Sequence, residues 1–215
     1  MIQHIILNRI KRPVKYILLC LVTVAIISLN SFSQERKLFY DIIKNGNVIG
    51  SITFIELIKD GKKFLSFTSD VKTRLILSYR DHASETAAYE NGIMVYSSFY
   101  QKTNGSDKAN KITIAEGKSY KLVDRGVSKI INASPIRYNM LLLYTTPPEN
   151  IYKVYSDNYQ KYLEVKKVGE NRFRLTLPDG NYNYYSYENG LCTRVDIERT
   201  LFIIHFKLKN NYSKS

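Results

Sequence analysis

From residue 34 onward, apolar and polar residues alternate with a period of two. In "RFRLTL" Phe173, Leu175 and Leu177 face one way, and Arg172, Arg174 and Thr176 the other. In "TRVDIE" Thr193, Val195 and Ile197 oppose Arg194, Asp196 and Glu198. In "FIIHFKLK" Phe202, Ile204, Phe206 and Leu208 share a face, with His205, Lys207 and Lys209 opposite. One apolar and one polar face per strand predicts antiparallel sheet, one side on a core and one in water. Between Phe64 and Arg80 a single apolar face collects Leu65, Phe67, Val71, Leu75, Leu77 and Tyr79. Read as one strand of about 15 residues, it is too long for a flat sheet in a small domain. It predicts a sheet coiled around a core.

The breaks between these runs are turns. Six Asn-Gly or Asp-Gly pairs occur, at 45–46, 60–61, 91–92, 104–105, 179–180 and 189–190. Such pairs tolerate the positive φ angles of a two-residue hairpin turn. The tetrapeptide "YENG" occurs at 89–92 and again at 187–190. The flanks "IMVYSSFYQ" and "LCTRVDIER" share little, so the pair reads as a turn signature and not as an internal repeat.

One stretch departs from the alternation. "SPIRYNMLLLYTTPP" offers Ser134 as N-cap, Pro135 at the first helical position, and Ile136, Met140 and Leu143 at helical spacing before Pro147-Pro148. This predicts one short helix of about ten residues, packed in the hollow of the coiled sheet. The expected fold is all-β: a coiled antiparallel meander forming an open or closed barrel with one packed helix.

The chain's beginning is read separately. Arg9, Lys11, Arg12 and Lys15 precede the apolar run Tyr16 to Leu29, and Ser31-Phe32-Ser33 follows. Charged, apolar and small-residue segments in that order predict a secretory signal peptide over 1–33, cleaved before Gln34. The apolar run is about 14 residues, short of the roughly 20 that span a bilayer. Residues 34–215 then form the single domain, exported to the periplasm or outer envelope. Export removes four cations and no acid, taking the net charge from +13 to +9. It also removes Cys20, leaving Cys192 with no disulfide partner within the chain. The cationic surplus is spread out, which reads as a solvated, mildly cationic surface, or else as attraction to anionic lipid head groups or polysaccharide, and argues against nucleic acid.

Chemistry-bearing motifs are sparse. Glycines stand singly in turns, no Cys-x-x-Cys or paired histidines occur, and there is no G-x-S-x-G. No cofactor, metal site or catalytic residue is expected. The nearest approach to a hydrolase is "RDHASE", residues 80–85. On a strand, His82 and Ser84 share one face and Asp81 and Glu85 the other, and two residues along a strand span about 6.5 Å. That exceeds the roughly 3 Å a nucleophile and its base require. Asp196 with Glu198 reads as a solvated charge ladder, and His205 as an exposed histidine. Ten tyrosines between Tyr138 and Tyr187 suit half-buried strands, or an aromatic-lined groove.

The opening Tyr40, Gly46, Ile49 and Gly50, the segment "SPIRYNMLLLY" and the run "LPDGNYNYYSYENG" resemble exported β-rich domain-of-unknown-function families of Gram-negative envelopes. The resemblance implies a coiled antiparallel sheet, similar in layout to periplasmic lipoprotein and lipid carriers. It carries over no catalytic residue.

Three functions follow, in descending order. The first is a non-enzymatic envelope protein holding a lipid or acyl chain in the concave face, lined by Phe67, Val71, Leu75, Leu77, Met140, Leu143 and Tyr144. The second is an interaction or scaffold protein with a solid core, meeting an envelope protein through its basic outer face. The third, a hydrolase centred on His82, is disfavoured by the spacing above.

Overall fold

The computed structural model describes residues 33–74, 78–209 and 213–214; residues 1–32 of the expected signal peptide, Leu75 and Leu77 lie outside them. Strands run in chain order as β1 (Gln34–Lys44), β2 (Asn47–Lys59), β3 (Lys62–Arg74), β4 (Ser78–Glu90), β5 (Ile93–Thr103), β6 (Ser106–Glu116), β7 (Ser119–Asp124) and β8 (Val127–Asn132). After a 3₁₀ turn at Met140–Tyr144 come β9 (Lys153–Ser156), β10 (Lys161–Gly169), β11 (Arg172–Thr176), β12 (Tyr182–Glu188), β13 (Leu191–Arg199), β14 (Phe202–Leu208) and the two-residue β15 (Ser213–Lys214). All described pairings within the sheet are antiparallel. The spatial order β8-β7-β6-β5-β4-β3-β2-β1-β14-β13-β12-β11-β10-β9 is two meanders joined where β1 pairs β14, with β15 also on β1. β8 and β9 end the order and do not pair with each other, so the barrel is open.

The hairpins follow the turn chemistry. Asn45-Gly46, Asp60-Gly61, Asn91-Gly92, Asn104-Gly105 and Asn189-Gly190 have φ between 49° and 83° at both positions. Both copies of "YENG" are such corners. Arg125-Gly126 makes the same turn, at φ 47° and 84°, without an Asn or Asp to announce it. At 179–180 only Gly180 has positive φ, and the Asp179 carboxylate instead accepts from Asn181 N–H.

Two expectations are corrected. The run from Phe64 to Arg80 is not one strand: β3 ends at Arg74 and pairs back through Arg74↔Ser78 with β4. Alternation alone cannot see a reversal that keeps side chains in phase. The ten-residue helix is also absent. Residues 133–138 are irregular, and Asn139, at φ −111° and ψ 177°, leads into a single 3₁₀ turn, Met140–Tyr144, with no side-chain cap. Ser134, Pro135 and Arg137 are exposed while Ile136, Tyr138 and Asn139 are buried, and the buried groups take hydrogen bonds from the surrounding strands rather than closing them within a helix.

The core lies on the concave side. Cross-strand rows such as Leu38–Phe54–Phe67 and Tyr40–Ile52–Ser69 line it, and Leu141, Leu143, Val154 and Tyr155 fill it from the crossing segment. Gly50 sits at a special point in that wall, opposite the bulge between Ile42 and Ile43. A Cβ there would overlap the Asp70 carbonyl oxygen and lie 2.9 Å from Val71 Cα, with backbone on both counts. Gly50→Ala is therefore expected to cost about 1–3 kcal/mol, read as a lowered midpoint in thermal or urea denaturation. An unchanged midpoint would show that β2 and β3 are not held this close.

Candidate functional site

The segment from Ile136 to Gln160 crosses the hollow, and its anchorage defines what the concave side can do. Met94 N–H donates to the Ile136 carbonyl at 2.8 Å, and Ile136 N–H to Tyr120 Oη at 2.9 Å. Tyr187 Oη donates to the Leu143 carbonyl at 2.8 Å, and Tyr138 Oη to the Thr146 carbonyl. Tyr155 N–H donates to the Tyr138 carbonyl at 3.0 Å, and Gln160 Nε2 to the carbonyls of Ile112 and Val123. Tyr144 is the central plug: its ring stacks on Phe54 at 5.2 Å and meets Tyr40, Phe67 and Tyr185 at 5.5, 5.5 and 6.5 Å. Of the residues expected to line a ligand site, Leu143 and Tyr144 are buried in the plug. Met140, Phe67 and Val71 pack partly buried against the same core. Those five come together, but around the chain's own side chains.

Beneath the plug lies a polar cluster that the sequence reading passed over. Glu85 points inward from β4 in the row Phe67–Glu85–Phe99. Asp157, from the turn after β9, faces it and is almost fully buried. Asn139 Nδ2 donates to Asp157 Oδ2 at 2.8 Å, Tyr89 Oη donates to Asn139 Oδ1 at 2.9 Å, and Asn139 N–H donates to Tyr89 Oη at 3.1 Å. Burial above all, then the Asp157 charge and a hydrogen bond to it, hold the Glu85 carboxyl well above its ordinary range. Burial also raises Asp157, and hydrogen bonds from Glu85 and Asn139 oppose that rise. Two buried carboxyls so placed are not both charged, and Glu85, held well above its ordinary range, is the one that keeps its proton. Glu85 Oε1, Asp157 Oδ1 and the wholly buried Ser97 Oγ make no hydrogen bond of good geometry among the described residues. Such a pair has acid–base capacity in principle, but the plug covers it. Its evident effect is to fix where Asn139 and Asp157 sit.

The outer face holds the remaining candidates. His82 is oriented after all, by Asp70 Oδ1 at 2.9 Å on the neighbouring strand; its intrastrand neighbours play no part. Ser84 lies on the same face, one strand-repeat away. Asp196 corrects the charge-ladder reading. It is 7% exposed and held by Arg194 Nε at 2.6 Å, His205 Nδ1 at 2.7 Å and Arg172 Nη2 at 3.1 Å. His205 is thus a partner in a partly buried ion cluster, and it is not a free surface residue. Arg172 and Arg174 lie over the Tyr184 and Tyr182 rings. Among the described residues no three His, Cys, Asp or Glu side chains gather to hold a metal ion. The Cys192 thiol is buried and pushed up to about 12 by that burial, which keeps it a thiol.

An apolar groove of about 430 Å³ also opens on the outer face. The row Leu57–Phe64–Ala88–Tyr96 crosses β2, β3, β4 and β5 as direct register partners, with Ile55 in the next row. Phe64 is 41% and Tyr96 39% exposed. Phe64 alternates with the inward Leu65 and so faces out, and the register shows that four strands contribute to one row.

The carboxyl pair makes stability depend on pH. Both groups bind protons more tightly folded than unfolded. Their contribution is complete below the unfolded carboxylate range near pH 4 and declines as pH rises through the folded values. Glu85→Gln keeps the shape without the titration. Its urea midpoint should match or fall slightly below the parent at pH 5 and exceed it at pH 9, by an equivalent of about 1 kcal/mol or more. Parallel curves for both proteins from pH 5 to 9 would remove the shared proton.

Among solved structures, a beta-barrel-like protein of domain of unknown function DUF1849 from Brucella abortus superposes with a TM-score of 0.53 at 11% identity. The match covers 86% of this chain and 99% of that one. Likeness at that identity speaks to fold alone. No curated protein matches the chain. Residues 40–209 match the family Domain of unknown function (DUF6134), and the chain belongs to it.

Proposed function

We propose that this is an exported, non-enzymatic envelope protein that binds the apolar chain of an anionic amphiphile, and that it does so on its outer face. The observation that carries the reading is the exchange of roles between the two faces. The concave side is closed by the chain's own Tyr144 and its neighbours. The row Leu57–Phe64–Ala88–Tyr96 leaves an apolar groove open outside. Exposed apolar surface arranged in one groove favours a ligand over bulk water. Lys59 and Lys62 stand one row further along the same face, with Lys62 held by Glu90 at 2.7 Å. They supply a cationic rim for an anionic head group. The order of charged, apolar and small residues at the chain's beginning supports export.

The test is a titration with cis-parinaric acid. The parent should take up the probe saturably, and Phe64→Asp should weaken uptake at least tenfold without shifting the thermal midpoint. Tyr144→Phe, in the plug, should leave uptake unchanged. Uptake that survives Phe64→Asp and is lost on Val71→Arg would move the ligand to the concave side. No uptake by the parent would end the reading.

A further inference from the structure

The two ends of the sheet are treated differently. The outer edge of β9 is covered by the chain itself, since Tyr155 bridges Asn139 and its N–H donates to the Tyr138 carbonyl. β8 has no such cover among the described residues: it pairs with β7 and ends the order. Its side chains are almost all exposed, Val127 at 76% and Ile130 at 65%.

Which backbone groups of β8 are open follows from the hairpin. The Arg125-Gly126 turn is flanked by the pair Asp124↔Val127. In a two-residue hairpin the flanking pair is hydrogen-bonded, and bonded and unbonded pairs then alternate. Val127, Lys129 and Ile131 therefore spend their N–H and C=O groups on β7. Ser128, Ile130 and Asn132 turn theirs outward. These three open residues are symmetric about Ile130.

We infer that β8 is a self-complementary edge, and that a second copy of this chain pairs with it antiparallel about a twofold axis at Ile130. In that register Ile130 meets Ile130 of the second copy, and Ser128 meets its Asn132, so every open N–H and C=O of the edge finds a partner. Directly opposite residues then lie on the same face of the joined sheet. The two Ile130 side chains fall on the outer side, where Lys121, Val123, Ile112 and Ile114 occupy the neighbouring positions. Lys129 sits opposite Ile131 of the second copy, so the two lysines meet only diagonally, at about 7–8 Å. A lipid surface would leave the open N–H and C=O groups without partners. An acidic strand from another protein could bond to the edge, but would not need the symmetry about Ile130. The inference concerns β8 alone and goes beyond the amphiphile groove on β2–β5; either can fail without the other.

Sedimentation velocity across a concentration series tests it. The parent should show a reversible monomer–dimer equilibrium in the micromolar range. Ile130→Lys and Ser128→Pro should each raise the dimer dissociation constant at least tenfold. Ser128 N–H points away from β7 and has no partner among the described residues, so proline there removes no ladder hydrogen bond, and an unchanged thermal midpoint confirms folding. Ile130→Cys places two thiols on residues about 5.5 Å apart, within disulfide reach. Mild oxidation should give a covalent dimer whose bond maps to 130–130 by peptide mass spectrometry. A parent that stays monomeric at 100 µM, or a dimer indifferent to both variants, overturns the proposal.

Discussion

A curled sheet must be filled, and here the filling is a length of backbone with little regular structure of its own. From Ala133 to Asn139 the chain is neither helix nor part of a strand ladder, so its N–H and C=O groups need partners from elsewhere. Tyrosine supplies many of them. Tyr120 accepts from Ile136 N–H and donates to the Met94 carbonyl; Tyr89 serves the backbone and side chain of Asn139; Tyr187 reaches the Leu143 carbonyl; Tyr40 reaches that of Cys192. Each ring contributes apolar area to the core while its hydroxyl closes a backbone account at the far end. Phenylalanine in those places would leave buried groups unpaired, at about 1–3 kcal/mol each. These buried tyrosines thus have a structural role in and around the non-helical plug.

The acid pair belongs to the same constraint. Burying two carboxyls is expensive unless they are neutralised or well bonded. Glu85 and Asp157 meet that requirement in part, with Glu85 keeping its proton and Asn139 donating to Asp157. The plug therefore has one position at which its polar groups are best satisfied, and sliding it by a residue would break the Tyr89–Asn139–Asp157 chain. Apolar packing alone tolerates many arrangements; a buried polar network of this kind selects among them.

Much of the fold was legible because hairpin turns and period-two strands are local signals. Asn45-Gly46 and Asn189-Gly190 declared their corners, and the alternation set the inward face of β11 and placed Val195 and Ile197 of β13 and Ile204, Phe206 and Leu208 of β14 against the core; a bulge buries Cys192 in place of Thr193, and Phe202, expected inside, is exposed. What failed was nonlocal. The reversal between Arg74 and Ser78 carries no Asn-Gly signature, so β3 and β4 merged into one run. Ile136, Met140 and Leu143 stand at helical spacing, yet the exposed Ser134, Pro135 and Arg137 and the buried Ile136 and Tyr138 belong to an irregular stretch, and only Met140–Tyr144 turns. Glu85 was placed on the face of β4 opposite His82 without being read as buried, and its partner Asp157 lies 72 positions away in the sequence, beyond any local pattern. Asp70 beside His82 and Arg172 beside Asp196 were missed for the same reason: cross-strand neighbours depend on register. The outer groove is likewise a row of four strands, invisible strand by strand.

These contrasts bear on where interaction can occur. The inner side of the sheet is committed to holding its own crossing segment, with aromatic contacts and hydroxyl–carbonyl bonds distributed over most of the strands. Opening it would expose the acid pair and several backbone groups together. The outer side carries no comparable cost. The row Leu57–Phe64–Ala88–Tyr96 and the edge at Ser128–Asn132 are already exposed, so covering them requires no prior rearrangement. A binding event spends least where the surface is preorganised. The two faces are therefore unlike in physical terms: tyrosines and acids inside fix one structure, and exposed apolar and edge groups stand outside, where the binding proposed above would need no rearrangement.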